Sequence, residues 1–521
     1  MKKENIKIRL KNFNIKEKRG CRTARLIFIN HSFVTALFML LSSNLIGKEK
    51  ENMNFVIIYA DDMGYGDLAI QNPESKIATP NLDKLAKEGL RFTDGHSSSS
   101  ICSPSRYALL TGRYHWRKSS TLSNEMFESR FAPDRLTLPE MMKKKGYKTA
   151  CIGKWHLGFN WFANVKENYN KKIDKKAVPA EAIDWSKKAP DGPTAHGFDY
   201  YFGEGTPNFP PYAWVENDKM LVEPSIQISE HPDGDRFKPG PSVKNWDFEK
   251  VMPTLTAKAV EWIGKQKGQN KPFFMYIPWT SPHTPVLPID KFKGRSKAGD
   301  YGDYVTQSDW HAGEVLKALE KNGFSENTVV IFSSDNGAAG QMQTRFVKTG
   351  HNSSGELKGM KISIYEGGHR VPFIIKWPGV TEAGSVSHAL ISQIDIMATI
   401  AKAIGYDIEE GQAEDSLDFM PVISGKQNHF RKSLVINNKL WGMRHGDWVY
   451  LEDLDKIRFK EDYLKARGDT KVTAKYALYN IKKDLGQRNN VMDQYPEIKK
   501  KLQAMLDQAK KEEGGKKKKK E

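Results

Sequence analysis

At 521 residues, with 39% hydrophobic side chains and a mean hydropathy of −0.61, the chain can bury a large core and has length for more than one domain. The net charge of +18 would suit a nucleic-acid partner, but it is concentrated at the ends. Residues 1–25 hold ten Lys/Arg against two acids and residues 510–521 hold seven against three, so the body carries only +6, a mild excess that fits an acidic substrate and argues against nucleic acid.

Residues 1–50 read as targeting. A basic stretch leads into the apolar run Phe33–Leu41 and then Ser42 and Ser43, the layout of a secretory signal. The run is too short to span a bilayer comfortably, so no stable membrane insertion is expected. The expected location is exported, periplasmic or secreted, in a bacterial host. Of the three cysteines, Cys21 falls in the leader, leaving Cys102 and Cys151. Cys151, inside the apolar stretch Tyr147–Gly153, reads as a buried strand thiol and not as a disulfide partner for Cys102.

The first strand expected is Asn54–Ala60, apolar along its whole length as in a parallel sheet covered on both faces. It ends in Asp61-Asp62-Met-Gly-Tyr-Gly-Asp67, where adjacent carboxylates offer hard oxygen donors to a divalent cation. Thr79–Gly89 is a capped helix with a Gly stop. Leu90–His96 then leads to a run of serines and Cys102-Ser-Pro-Ser-Arg106, with an apolar helical run following. That context puts Cys102 at a helix N-terminus, where free N–H groups favour an anion.

After a helix over Leu138–Lys145, the strand through Cys151 ends in Gly153-Lys-Trp-His-Leu-Gly158. Lys154 and His156 would face one way if the backbone stays extended. Residues 159–250 are irregular and rich in Pro, Trp and Tyr; their aromatics would either line a sugar-binding mouth or pack an insertion onto the sheet. A helix over Thr254–Lys265 and a strand over Pro272–Trp279 lead to His283. A helix over Gln307–Lys321 precedes the strand Thr328–Ser334, which runs directly into Asp335-Asn336-Gly337. Beyond Leu357–Pro372, a strand over Val371–Trp377 and a helix over Ile394–Ile404, the sequence predicts a small antiparallel sheet and a packed amphipathic helix, Pro496–Lys510. The domains expected are 51–415 for the catalytic part and 416–510 for a C-terminal α+β part, followed by a Lys-rich tail over 511–521.

Four strands thus end in chemically loaded residues, and in α/β sheets ligands gather at the carboxyl ends of strands. Asp61, Asp62, Asp335 and Asn336 supply hard oxygens, while Arg106, Lys154 and Lys361 supply positive charge for a tetrahedral oxyanion. His156 and His283 can move protons near neutral pH.

Cys102-Ser-Pro-Ser-Arg106, Gly153-Lys-Trp-His-Leu-Gly158 and the C-terminal Leu478-Tyr-Asn-Ile segment together resemble the type I sulfatases of the alkaline-phosphatase-like superfamily, over about residues 53–510. The resemblance implies a large, mostly parallel central sheet flanked by helices, and a sulfuric ester hydrolase acting on sulfated glycans. It implies that a maturation enzyme oxidises Cys102 to formylglycine, and that Asp61, Asp62, Asp335, Asn336 and the converted Cys102 hold one Ca²⁺ ion in preference to Mg²⁺. Arg106 and Lys154 would steady the formylglycine, His156 would act on its hydroxyl, and His283 and Lys361 would meet the sulfate and leaving oxygen. The family commonly has Gly-Lys-Gly-Thr-Thr around that lysine, where this chain reads Met360-Lys-Ile-Ser-Ile364. The same scaffold would serve a phosphate or phosphonate monoester hydrolase, and a silent polyanion-binding protein is the alternative outside enzymes.

Overall fold

The computed structural model describes residues 53–118, 126–169, 178–229 and 237–512. The leader expected over 1–50, and residues 513–521 of the Lys-rich tail, lie outside the described residues. Strand β1, Asn54–Ala60, is buried along its whole length and lies at the centre of a ten-stranded mixed sheet. The other strands, in chain order, are β2 (Leu90–Phe92), β3 (Lys148–Ile152), β4 (Tyr200–Gly203), β5 (Val215–Glu216), β6 (Lys219–Met220), β7 (Phe273–Pro278), β8 (Thr328–Ser334), β9 (Phe373–Lys376) and β10 (Ser385–Ser387). Their order in the sheet is β10-β2-β9-β8-β1-β7-β3-β4-β5-β6. β8, β1, β7, β3 and β4 form an unbroken parallel block, with Ile57 opposite both Tyr276 and Ile331.

Side chains alternate across β1, so each face needs its own cover. Phe55, Ile57 and Tyr59 join one apolar core with helices α2 (Cys102–Thr111), α3 (Leu138–Lys144) and α6 (Ile396–Ala403). Val56 and Ile58 join the other with α1 (Pro80–Glu88), α4 (Val251–Gln266) and α5 (Gly299–Lys321). Covering both faces of a parallel block in this way is what its uninterrupted apolar strands require.

The C-terminal part is a four-stranded antiparallel sheet of β11 (Ser433–Asn437), β12 (Trp441–His445), β13 (Trp448–Leu451) and β14 (Ala477–Asn480), in that order. Helix α7, Pro496–Lys511, packs Leu502 and Leu506 against Met443 and Tyr450 of that sheet. The described residues pack as a single unit.

One expected boundary changed, and two alternatives that the sequence left open were decided. α5 begins eight residues before the expected Gln307, because Gly299-Asp-Tyr-Gly-Asp-Tyr has poor intrinsic helix propensity yet buries Tyr301 and Tyr304 against the core. Most aromatics of residues 159–250 are packing residues; Trp161, Trp185, Tyr201 and Tyr212 are all buried. The backbone after β3 does not stay extended, since Gly153 and His156 both take positive φ, at 137° and 56°.

Candidate active site

β8, β1, β7 and β3 are adjacent and parallel, so their carboxyl ends open onto one place. That is why Asp335/Asn336, Asp61/Asp62, His283 and Lys154/His156 meet despite up to 275 residues of separation in the chain. Gly153 permits one of the close approaches. A Cβ there would sit 2.0 Å from the Pro278 carbonyl oxygen, and the residue's φ of 137° suits glycine alone. The serine-rich loop delivers Cys102 from the side, as the first residue of α2. Its Sγ donates to Asp61 Oδ1 at 3.4 Å. Cys102 and Cys151 are both buried free thiols.

The site alternates negative and positive groups, most of them drawn out of water. Lys154 Nζ donates to Asp61 Oδ2 at 2.5 Å, and Lys361 Nζ lies 2.7 Å from Asp62 Oδ1. Arg106 binds Asp335 Oδ2 through Nε at 3.1 Å and a terminal nitrogen at 2.7 Å, and donates to the Lys154 carbonyl at 3.2 Å. Asn336 Nδ2 donates to Asp62 Oδ1 at 2.7 Å. Charge-assisted bonds of this kind hold guanidinium and carboxylate in fixed geometry.

These pairings set the protonation states. Burial raises the Asp61 and Asp62 carboxyls, but the cations win: Lys154 and His283 hold Asp61 below the usual carboxylate range, and Lys361 and His283 do the same for Asp62. Burial and the Asp335 carboxylate push the Cys102 thiol well up, so it stays protonated at neutral pH. The half-buried His156 is held well below its ordinary value by desolvation and by Lys154, Arg106, Lys361 and His283. Its Nδ1 has no hydrogen-bond partner. His283 is lowered by burial and Lys361, with Asp61 and Asp62 opposing. Its Nδ1 lies 2.6 Å from the Thr284 carbonyl oxygen, which fixes Nδ1 as the donor and leaves Nε2 facing Asp62 Oδ2 at 3.7 Å.

Ligand atoms of Asp61, Asp62, Cys102 and His283 all lie within 4.8 Å of one another. Two buried acceptor oxygens beside them, Asp62 Oδ2 and Asn336 Oδ1, have no hydrogen-bond partner. Buried orphan oxygens are rare, and hard oxygen donors are what a divalent cation such as Ca²⁺ takes. The residues therefore fit the ion. Every predicted site residue is brought to this place. Two details differ from expectation: His283 joins the carboxylate cluster, and Asp335 is engaged by Arg106.

A cavity of about 790 Å³ opens above the site, lined by Asp62, His283 and Lys361. Its far wall comes from residues that sequence reasoning missed, Asn438–Leu440 and the 456–460 segment beside the C-terminal sheet. Only the run Lys456-Ile-Arg-Phe-Lys460, with three cations in five residues between Asp455 and Glu461, hinted at them.

Residues 53–406 match the family model described as Sulfatase, and residues 360–512 match that of the N-sulphoglucosamine sulphohydrolase C-terminal region. The chain is 30% identical over 507 residues to an N-acetylgalactosamine-6-O-sulfatase of Bacteroides thetaiotaomicron, covering 89% of this chain and 94% of that one. It is 32% identical over 381 residues to the N-acetylgalactosamine-6-sulfatase of Mus musculus, covering 71% and 66%. A solved structure from work on glycosaminoglycan metabolism by B. thetaiotaomicron superposes with a TM-score of 0.75 at 29% identity, over 88% of this chain and all of that one. With a family model spanning well over half its length, and the large mixed sheet already described, the chain belongs to the sulfatase family and is a sulfuric ester hydrolase.

Proposed function

We propose that the enzyme removes 6-O-sulfate from N-acetylgalactosamine in sulfated glycans, using Cys102 after its oxidation to formylglycine. The observation that carries the nucleophile assignment is the position of Cys102, buried at the first turn of α2 where four parallel strand ends meet. As a thiol it would be a poor nucleophile, because the thiolate is the reactive form and burial suppresses it. Conversion would supply an aldehyde whose hydrate offers one hydroxyl for attack on sulfur and a second for expelling sulfate. Asp61, Asp62, Asp335 and Asn336, with the converted residue, would hold Ca²⁺, which adds Lewis-acid charge beside the sulfuryl group.

The remaining roles follow from the surroundings of each side chain. Arg106, locked by Asp335, and Lys154, locked by Asp61, steady the nucleophile's oxygens. Lys361, at the cavity floor, meets the sulfate. His156 is kept neutral by desolvation and by the cations around it, so it can accept the proton whose loss expels sulfate. His283 presents Nε2 to the site, and an entering anionic ester would favour its protonated form. It then donates that proton to the departing sugar oxygen.

The substrate class rests on the two N-acetylgalactosamine-6-sulfatase relatives. A panel of sugars sulfated at single defined positions tests it. Sulfate release is expected from 6-O-sulfated N-acetylgalactosamine. Release confined to 2-O- or N-sulfated sugars, or to aryl sulfates, would overturn the substrate reading.

A further inference from the structure

Four of the non-glycine residues with positive φ cluster at the site: Asp62, His156, Ile362 and Lys439. Ile362 is the most unusual. Its φ is +71°, a region that β-branched side chains almost never occupy. Its backbone is clamped there from both sides. The N–H donates to the Ser100 carbonyl at 2.9 Å, and the carbonyl accepts from Asn438 Nδ2 at 2.6 Å. Asn438 also donates to Ser100 Oγ at 2.7 Å, tying the loop before Cys102 to the C-terminal sheet. The result is an isoleucine 63% exposed, beside Lys361, on the wall of the cavity. Backbone strain that hydrogen bonds hold in place next to a reacting centre points to a functional contact there.

The same cavity wall carries Lys439, Lys456, Arg458 and Lys460, all exposed. Lys456 has a carboxylate partner, Asp453 at 2.9 Å. Lys460 donates to the Thr344 hydroxyl at 2.7 Å and Arg458 to the Asp455 carbonyl, so neither cation is neutralised there. Asp62, the cavity's acidic residue, is already paired with Lys361. A volume of about 790 Å³ leaves room beyond one sulfated ring.

We propose that this outer wall is a subsite for a second, anionic sugar, whose apolar ring face lies on Ile362 and whose carboxylate or sulfate sits among Lys439, Lys456, Arg458 and Lys460. The proposal rests on the glycan reading above and adds that an anionic oligosaccharide, and not an isolated sulfated sugar, is the preferred substrate. The strained backbone at Ile362 is what aims the platform.

The test compares kcat/KM of the matured enzyme on four substrates sharing one reacting 6-O-sulfate. These are the monosaccharide, a disaccharide extended by a uronate, the same disaccharide with the uronate reduced to a neutral sugar, and one extended by a sulfated neutral sugar. The expected result is that an anionic extension raises kcat/KM at least about tenfold over the neutral one. The better of the two anionic arms identifies the anion. Lys456→Ala/Arg458→Ala should erase most of that difference, and Ile362→Gly should raise KM for every extended sugar without lowering Tm. Equal rates on neutral and anionic extensions would overturn the subsite while leaving the glycan reading intact. Turnover of nitrophenyl sulfate with no release from any sugar would instead overturn the glycan reading, and the subsite with it.

Discussion

Asp62 shows how much one residue can be asked to do. It takes positive φ, accepts from Asn336, pairs with Lys361, faces His283 and still keeps a buried oxygen without a hydrogen-bond partner. Such an oxygen, beside the buried carboxylate of Asp61, is expected to make metal binding stabilise the fold. Exhaustive chelation should therefore lower both Tm and sulfate release, and added Ca²⁺ should restore both; an unchanged Tm would contradict the metal assignment. The two histidines separate by leaving group. His283→Ala should lower kcat on a sulfated sugar by roughly 10²–10⁴-fold but affect a nitrophenyl sulfate far less, since a phenolate leaves without a proton. His156→Ala should impair both substrates and let sulfated enzyme accumulate, visible by intact mass. Equal losses for His283→Ala on both substrates would exchange the two roles.

At the scale of elements, the C-terminal sheet is fastened to the catalytic part by a buried ion network. Arg444 of β12 makes a bidentate contact with Asp94, at 2.7 and 2.6 Å, and Arg370 pairs with Glu366 at 3.2 Å. Asp94, His96 and Glu366 come close enough to resemble a metal cluster, but the two guanidinium groups already neutralise it. The network holds the loop that leads into Cys102. Arg444→Ala would leave Asp94 buried with one cation fewer, which is expected to cost about 3–5 kcal/mol in urea unfolding. A loss under about 1 kcal/mol would mean that the apolar contacts of the sheet alone do the fastening.

Across the whole molecule, what could be read in the sequence was the chemistry carried by continuous strands. Asn54–Ala60 and Thr328–Ser334 are uniformly apolar and each ends at once in its loaded pair, so strand and site residue were visible together. The cavity's far wall was not visible, because Lys439 and Lys456–Lys460 reach the site only through the packing of a second sheet some hundred residues beyond the nearest catalytic strand. Nor was the left-handed backbone of His156 and Ile362, which tertiary hydrogen bonds impose against local preference.

The same buried interior shapes the pH response. His115 and His311 are buried, and desolvation lowers their pKa values to about 4 and about 3 from 6.5. Below pH 6.5 the unfolded chain takes up protons that the folded one refuses. Their stabilisation is therefore full above pH 6.5 and declines as pH falls toward 4, by up to ~3 kcal/mol each. The buried carboxylates Asp61, Asp62 and Asp94, whose pKa values are lowered, lose their contribution only at lower pH. Tm should fall between pH 6.5 and 4, and His311→Gln should flatten that slope; an unchanged slope would contradict the assignment.

The central claim is that Cys102 works only after conversion. The direct measurement is peptide mass spectrometry across Cys102 in preparations matured to different extents, set against sulfate release from the same samples. Activity should rise in proportion to formylglycine and extrapolate to zero where only the thiol remains. Full activity in a preparation carrying unmodified cysteine at position 102 would contradict it.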